Sequence, residues 1–457
     1  MPSDLTRMSI STSPRSNVYP LLQGAVYAED VNLTKPSVPL AFKKQTQTPF
    51  ILAWVFCLIF YFAQYSMRSA PSVMLPELTQ AFSLSAVGLS TLIGLYYYTY
   101  SAFALIAGAF LDRFGAKFVI PGGITLLALG SILFGLGFSL SAEFGRFLQG
   151  AGGAFAFTGA VYLATHGFPG KYLATAIGFT QCMGMLGGSA GQFLVEPLIH
   201  GIINWQQFWI DAGIACLVVA LLMFFITPGS DNAPAKEKGS LWKMFAPYKI
   251  VLTNPQSYLC GFCAGLLFLP TTIGDMIWGV PFIRETSHLD FSEAVRQVSM
   301  VPLGWVIGCP LFGYLTDVMG RRKPVLIGGA ILMLFVSLAI LYAPQTMLPP
   351  YLPGLLLGLG SGAAMIPYTI IKEVNPDHVK GSATGAINFL VFTLSALMAP
   401  AYGWLLNHLA VDAHITLLSF QQAGVVGIAG IVTAIILAFY IKETGSSTAS
   451  STIKATL

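Results

Sequence analysis

The stretch Gly108-Ala-Phe-Leu-Asp112-Arg113-Phe-Gly115-Ala-Lys117 decides the fold, because the chain writes it twice. About 205 positions later comes Gly313-Tyr-Leu-Thr-Asp317-Val-Met-Gly320-Arg321-Arg322, in which glycine, aspartate, glycine and a basic residue keep their spacing; a constant offset of this kind marks a duplicated architecture. Each copy is a short polar break between two apolar runs. Those runs match the roughly 20 apolar residues that one bilayer crossing needs.

Outward from these loops the same punctuation continues. Apolar windows fall at 50–70, 86–111, 117–139, 143–165, 172–196 and 206–227, and again at 256–280, 295–316, 323–343, 348–371, 380–406 and 418–441. The expected organisation is a disordered tail over 1–48, a six-helix bundle over 49–227, a linker over 228–255 rich in Pro, Gly and Lys, a second bundle over 256–442 and a Ser/Thr tail over 443–457. The fold class is therefore all-α and integral to a membrane, with twelve transmembrane helices in two pseudo-symmetric halves.

Composition agrees. Hydrophobic residues make up 55% of the chain and charged ones 9%, with a mean hydropathy of +0.72. A soluble domain carries about 25% charged residues. The net charge of +4 is too small to suggest nucleic acid as a partner, but its placement is informative. With both termini inside, Lys and Arg gather on the cytoplasmic side, and only Arg284 and Arg296 remain outside, as the positive-inside rule requires. Arg68 and Arg146 lie within spans. The expected location is a cell (inner) membrane with both termini cytoplasmic. The six cysteines sit in apolar windows and read as packing, Cys260-x-x-Cys263 included. The histidines fall at span ends and loops, so no metal site and no cofactor is expected.

The duplicated loop, Gly-x-x-x-Asp-x-x-Gly-x-Lys/Arg, resembles the loop signature of the major facilitator superfamily of secondary transporters, with Ala116 at a usually basic position. Arg146-Phe-Leu-Gln149-Gly150-Ala-Gly152 resembles that superfamily's fourth-span signature. The resemblance implies that Gly108, Asp112, Arg113, Gly115 and Lys117, with Gly313, Asp317, Gly320, Arg321 and Arg322, secure one of two alternating states. In physical terms, Asp112 and Asp317 are suited to accept hydrogen bonds from the exposed N–H groups of a neighbouring helix start. By the same analogy Arg146 sits near the translocation path and assists coupling.

Two charges stand out in the first helix of each half. Arg68 ends Tyr61-Phe-Ala-Gln64-Tyr65-Ser-Met-Arg68, and Asp275 lies at nearly the repeat offset in Ile273-Gly274-Asp275. Ionisable residues at membrane depth mark functional sites. Arg68 and Asp275 are expected either to form a breakable gate, or to serve as an anion site and its resting counter-ion or proton site. The stretch around Arg68 also resembles the first helix of the organophosphate and organic-anion branch, where this arginine contacts phosphate or carboxylate. The second arginine of the phosphate antiporters is absent here. Tyr97, Gln181, Tyr368 and Asn388 are candidate cavity residues, and Arg146 and Asp275 are the coupling candidates. Glycines at spacings of three and four in the fifth and eleventh spans suit close helix contacts, whether sliding or static.

The function expected is a single-chain secondary transporter moving a small polar, carboxylate-bearing solute by alternating access, coupled to protons, with the bilayer and a small-molecule substrate as partners. A neutral solute, peptide or siderophore stays open as substrate, as does a non-transporting sensor. An enzyme is not expected, because His-Glu-x-x-His, Gly-x-Ser-x-Gly and clustered intramembrane carboxylates are all missing.

Overall fold

A computed structural model describes residues 48–168, 170–229, 245–344, 347, 349–376, 379–412 and 414–445. The expected tail over 1–48 lies outside the described residues except for Thr48, as does most of the linker, and the side chain of Asp112 is likewise not described.

In the first half the helices are α1 (Thr48–Ser69), α2 (Leu75–Phe82), α3 (Ala86–Phe114), α4 (Ala116–Gly135), α5 (Ser139–Gly167), α6 (Gly170–Phe193), α7 (Val195–Gly201) and α8 (Trp205–Ile226). After α9 (Ala246–Thr253) the second half holds α10 (Pro255–Leu269), α11 (Gly279–Ser287), α12 (Phe291–Val298), α13 (Met300–Met319), α14 (Lys323–Tyr342), α15 (Leu352–Ser361), α16 (Ile366–Glu373), α17 (Lys380–Leu409) and α18 (Leu417–Tyr440). Helices dominate because a chain in hydrocarbon must satisfy its backbone internally. Where helices begin, side chains satisfy the free N–H groups. Ser85 caps α3, Asn204 caps α8, Asn254 caps α10, and Thr416 with Ser419 forms a reciprocal capping box on α18.

Eleven helices among the described residues are long and apolar enough to cross a membrane. The remaining one of span length is α6, whose 24 residues include glycines and glutamines that dilute its apolarity. Its glycines are contact points. A Cβ at Gly187 would lie 2.2 Å from the Phe62 carbonyl oxygen, and one at Gly191 equally close to that of Ser66, so α6 lies directly on the backbone of α1. Both contacts lie within one half.

The two first-of-half helices change winding near their critical residues. Beyond Ser69, α1 tightens into a 3-10 turn over Ala70–Val73 around Pro71. Beyond Leu269, α10 loosens into a π-helical stretch over Pro270–Trp278, where the missing N–H of Pro270 interrupts the ladder. Asp275 sits in that stretch, and the crossing runs on through α11 to Ser287, further than the expected 280.

The start of α10 and the end of α18 lie on one face of the molecule, where Gln256 donates to the Tyr440 carbonyl. This is the termini side, and the opposite face is the far side. The halves join mainly through α3 against α17, which run antiparallel from Ser90 beside Gly403 to Ala104 beside Gly385. A second seam joins α6 and α13, from Cys182 on the Val306 carbonyl to Ser189 on the Ser299 carbonyl (2.9 Å).

The linker contains more order than expected. On α9, Tyr248 donates to the Leu105 carbonyl of α3 at 2.9 Å and lies against Gly385 of α17, so it straddles the two halves.

Candidate functional site

Where the halves meet, α1 turns Tyr61, Gln64, Tyr65 and Arg68 to one face, as their spacing of three and four dictates. From α3 come Tyr96, Tyr97 and Tyr100, all buried, whereas Tyr98 points outward. The second half contributes Phe268, Tyr368, Asn388 and Phe392. Of these, Tyr61, Tyr65, Tyr100, Phe268, Tyr368, Asn388 and Phe392 line a central void of only about 10 Å³, with Arg68, Gln64, Tyr96 and Tyr97 packed behind them. Tyr61 donates to Gln181 Oε1 (3.2 Å) and Tyr368 to Asn388 Oδ1 (2.8 Å), so three of the expected cavity residues, Gln181, Tyr368 and Asn388, border the same space.

Arg68 is fully buried, packed on Tyr65 and Phe392, which line this void. Its guanidinium carbon stands 4.7 Å from the Phe392 ring centre, 4.9 Å from that of Tyr65 and 5.0 Å from that of Tyr97. Stacking of this kind partly compensates a desolvated cation. Its Nε donates to Tyr97 Oη at 3.4 Å, and Tyr97 in turn donates to the Thr272 carbonyl of the other half at 3.3 Å. Nη1 has no acceptor among the described residues. A buried donor left unmet costs about 1–3 kcal/mol.

The structure does not bring Arg68 and Asp275 into an ion pair. Asp275 is buried in the π-helical stretch beside Gln192, and among the described residues neither carboxylate oxygen accepts a well-formed hydrogen bond. Gln192 itself reaches Ser72 (3.4 Å) and keeps its Oε1 unpartnered. Each half thus holds a buried ionisable group with no ion-pair partner among the described residues.

Arg146 is also fully buried, which excludes snorkelling. It donates to Gln149 Oε1 (2.7 Å) and the Ile93 carbonyl (3.2 Å), and Gln149 reaches Ser131. Its guanidinium carbon stands 5.0 Å from the Tyr96 ring, and Arg68 lies 6.0 Å from the same ring. Gln64 donates to the hydroxyl of the same Tyr96.

The second copy of the loop signature forms a lock on the termini side. Arg322 bridges Asp317 and Glu373, both at 3.0 Å. Burial opposes the charge of Arg322, yet those two carboxylates hold its pKa above the ordinary arginine value. The start of α14 is capped by Glu443 rather than by Asp317 as expected: its carboxylate accepts from the N–H groups of Arg322 (2.7 Å) and Lys323 (3.1 Å). Burial alone would raise the Glu443 pKa, but those donors and the N–H groups of Gly445 and Thr444 outweigh it and hold the pKa below the usual value. Asp317 serves instead as a partner for the Arg322 side chain, because the turn closes on Gly320, whose φ of +60° brings its N–H back to the Asp317 carbonyl. The expected tail over 443–457 therefore begins docked. In the first copy Gly115 likewise takes a positive φ, +74°. Arg113 lies over the Phe114 ring and Lys117 over that of Phe224.

Gln64, Tyr65, Phe392 and Gln192 were not expected from the sequence. Phe392 lies one helical turn from Asn388, and Gln64 and Tyr65 share the face of Arg68, so periodicity was the available signal.

Two joined helical bundles, meeting at a small polar and aromatic centre with buried charges, define the architecture of a membrane transporter. The chain belongs to the Major Facilitator Superfamily, whose family model matches residues 57–400. It is similar to the membrane sensor protein UhpC of Salmonella typhimurium, at 25% identity over 304 residues, covering 60% of this chain and 65% of that protein. It is also similar to the probable sulfoacetate transporter SauU of Cupriavidus necator, at 24% identity over 332 residues, covering 66% of this chain and 74% of that protein. Among solved structures, a bacterial homologue of the human lysosomal transporter Spinster, inward-facing and unoccupied, superposes with a TM-score of 0.68 at 15% identity, covering 87% of this chain and 97% of that one. The last likeness concerns the fold.

Proposed function

We propose that the protein is a secondary active transporter for a small organic anion bearing a carboxylate or sulfonate, coupled to protons. The observation that carries this reading is Arg68: a buried guanidinium packed on Tyr65 and Phe392, two of the rings that line the central void, with its Nη1 unpartnered among the described residues and one long hydrogen bond to Tyr97 beside its aromatic contacts. An anion entering the void would meet that donor and gain a charge-assisted hydrogen bond, of about 1.5–3 kcal/mol. The similarity to a probable sulfoacetate transporter favours the same class.

Asp275 is the proton site in this reading. Its carboxylate accepts no well-formed hydrogen bond among the described residues, and the free Oε1 belongs to its neighbour Gln192. A protonated carboxyl would supply the missing donor, whereas the carboxylate form needs the half-to-half interface to open. In the conformation described, the far side is joined by Ser189 with Ser299 and by Ser292 with Glu196. On the termini side Leu311, Tyr314, Val318 and Met319 of α13 are exposed. We read this as a state closed toward the far side.

The test is a thermal-shift screen of the purified chain against sulfoacetate, mono- and dicarboxylates, neutral sugars and amino acids, followed by uptake into proteoliposomes with and without an inward proton gradient. The reading expects stabilisation by an anion, lost in Arg68→Ala, and uptake that responds to the gradient. Stabilisation by a neutral solute that survives Arg68→Ala would refute the anion class. Binding without flux would favour a sensor, the function named for UhpC.

A further inference from the structure

A second space lies away from the central path. On the far side of the second half, a cavity of about 720 Å³ is enclosed by the π-helical stretch, α11, α14, α15, α17 and α18. That is within the 300–1,000 Å³ range of ligand pockets. In the first half the far ends of the first, third and sixth spans are closed by aromatic rings: Phe82 of α2 packs edge-on against Phe134 and Trp205, Phe134 packs on Trp209, and Trp209 Nε1 donates to Met74 Sδ at 3.1 Å. In the second half Leu341 and Phe420, on the ninth and twelfth spans, instead border the open cavity. Two glycines confirm that the space is free, since a Cβ at Gly274 or Gly427 would meet nothing within 4 Å.

The cavity also reaches the side of the bundle. Trp404 of α17 and Val426 of α18 both line it and are exposed on the surface, at 58% and 42%. Its mouth on the far side carries Thr286, His288 and Tyr351. Asp275 borders the floor, but its carboxylate oxygens are shielded, so the interior offers no charge to a ligand. Left without an apolar occupant, such a space forfeits the dispersion contacts of its walls. Open to hydrocarbon at the side and to polar groups at the end, it has the form of a site for an amphiphile.

We propose that this cavity takes the acyl chain of a lipid from the far-side leaflet, which enters between α17 and α18, with its polar head at Thr286, His288 and Tyr351. The site is independent of the transport reading. Trp278, buried on the wall, reports on it.

The experiment places the full chain, as a Trp404→Phe variant, in nanodiscs of phospholipid brominated on the acyl chain and reads tryptophan fluorescence. The expected result is quenching of a component identified as Trp278 by its absence in Trp278→Phe. Gly427→Leu, which fills the cavity, should remove that quenching, whereas Gly427→Ala, which adds one methyl, should keep it. Should Gly427→Leu fail to fold, Ala401→Leu fills the space from the opposite wall. Quenching that is absent, or equal with the cavity filled, overturns the proposal. Quenching seen only when a brominated single-chain alcohol is added to unbrominated nanodiscs overturns the leaflet as source.

Discussion

At the scale of the residue, the chain places charge where hydrocarbon opposes it, at about 2.5–3.5 kcal/mol for an arginine or aspartate at the centre of a span. Arg68 offsets that cost with three aromatic rings and one long hydrogen bond, which leaves Nη1 available. Arg68→Ala should weaken anion binding roughly 10- to 100-fold, the equivalent of a lost charge-assisted hydrogen bond. Arg68→Lys should recover only part of it, because an ammonium lacks the planar face that stacks on Tyr65 and Phe392; calorimetric titration of the anion found by screening checks both. Asp275→Asn should bind that anion normally yet show uptake that no longer responds to a proton gradient, and a wild-type response would remove Asp275 from coupling. Sequence alone marked Arg68 as a charge within a span, though an anchor at the outer headgroups remained an alternative to burial. It did not reveal the neighbours. Arg68 and Asp275 share an offset, but the π-helical winding after Pro270 rotates the second helix in a way composition does not encode.

At the scale of the element, glycine spacing separates two uses that look alike in sequence. Gly187 lies against the α1 backbone, so Gly187→Leu should lower the thermal unfolding midpoint, at a cost of at least about 1–3 kcal/mol from overpacking. Gly427→Leu faces open space and should leave the midpoint unchanged or raised. The segment Glu443–Gly445 makes a prediction about pH. Because the folded Glu443 pKa lies below its usual value, the docking it provides is fully present above the unfolded pKa and is lost as pH falls through the folded one, below 4.5. Hydrogen exchange at the Arg322 and Lys323 amides should therefore stay slow at neutral pH and accelerate only in strong acid, whereas in Glu443→Gln it should be faster at neutral pH as well. The spans themselves were legible to within a few residues because twenty apolar positions in a row admit one structure in a bilayer. The order in α9 and at Glu443 was not, since polar segments dock through individual hydrogen bonds that leave no periodic trace.

At the scale of the whole molecule, the duplicated loop announced two halves, and the family match over 57–400 agrees with it. How the halves lean on each other was beyond the sequence: α3 with α17 forms a continuous seam, while the hydrogen bonds of α6 with α13 run from Cys182–Val306 to Ser189–Ser299, toward the far side. The proposed state closed toward the far side rests on that asymmetry. If the halves rock about the centre, Gln181, on the border of the central void, must be reachable from each face in turn. The most direct measurement uses a cysteine-free chain carrying Gln181→Cys, labelled in oriented vesicles by an impermeant thiol reagent from either side, before and after a short crosslinker joins Ser189→Cys to Ser299→Cys. The account predicts labelling from both sides before crosslinking and from the termini side alone afterwards. Labelling from the far side that persists at full rate in the crosslinked protein would contradict it.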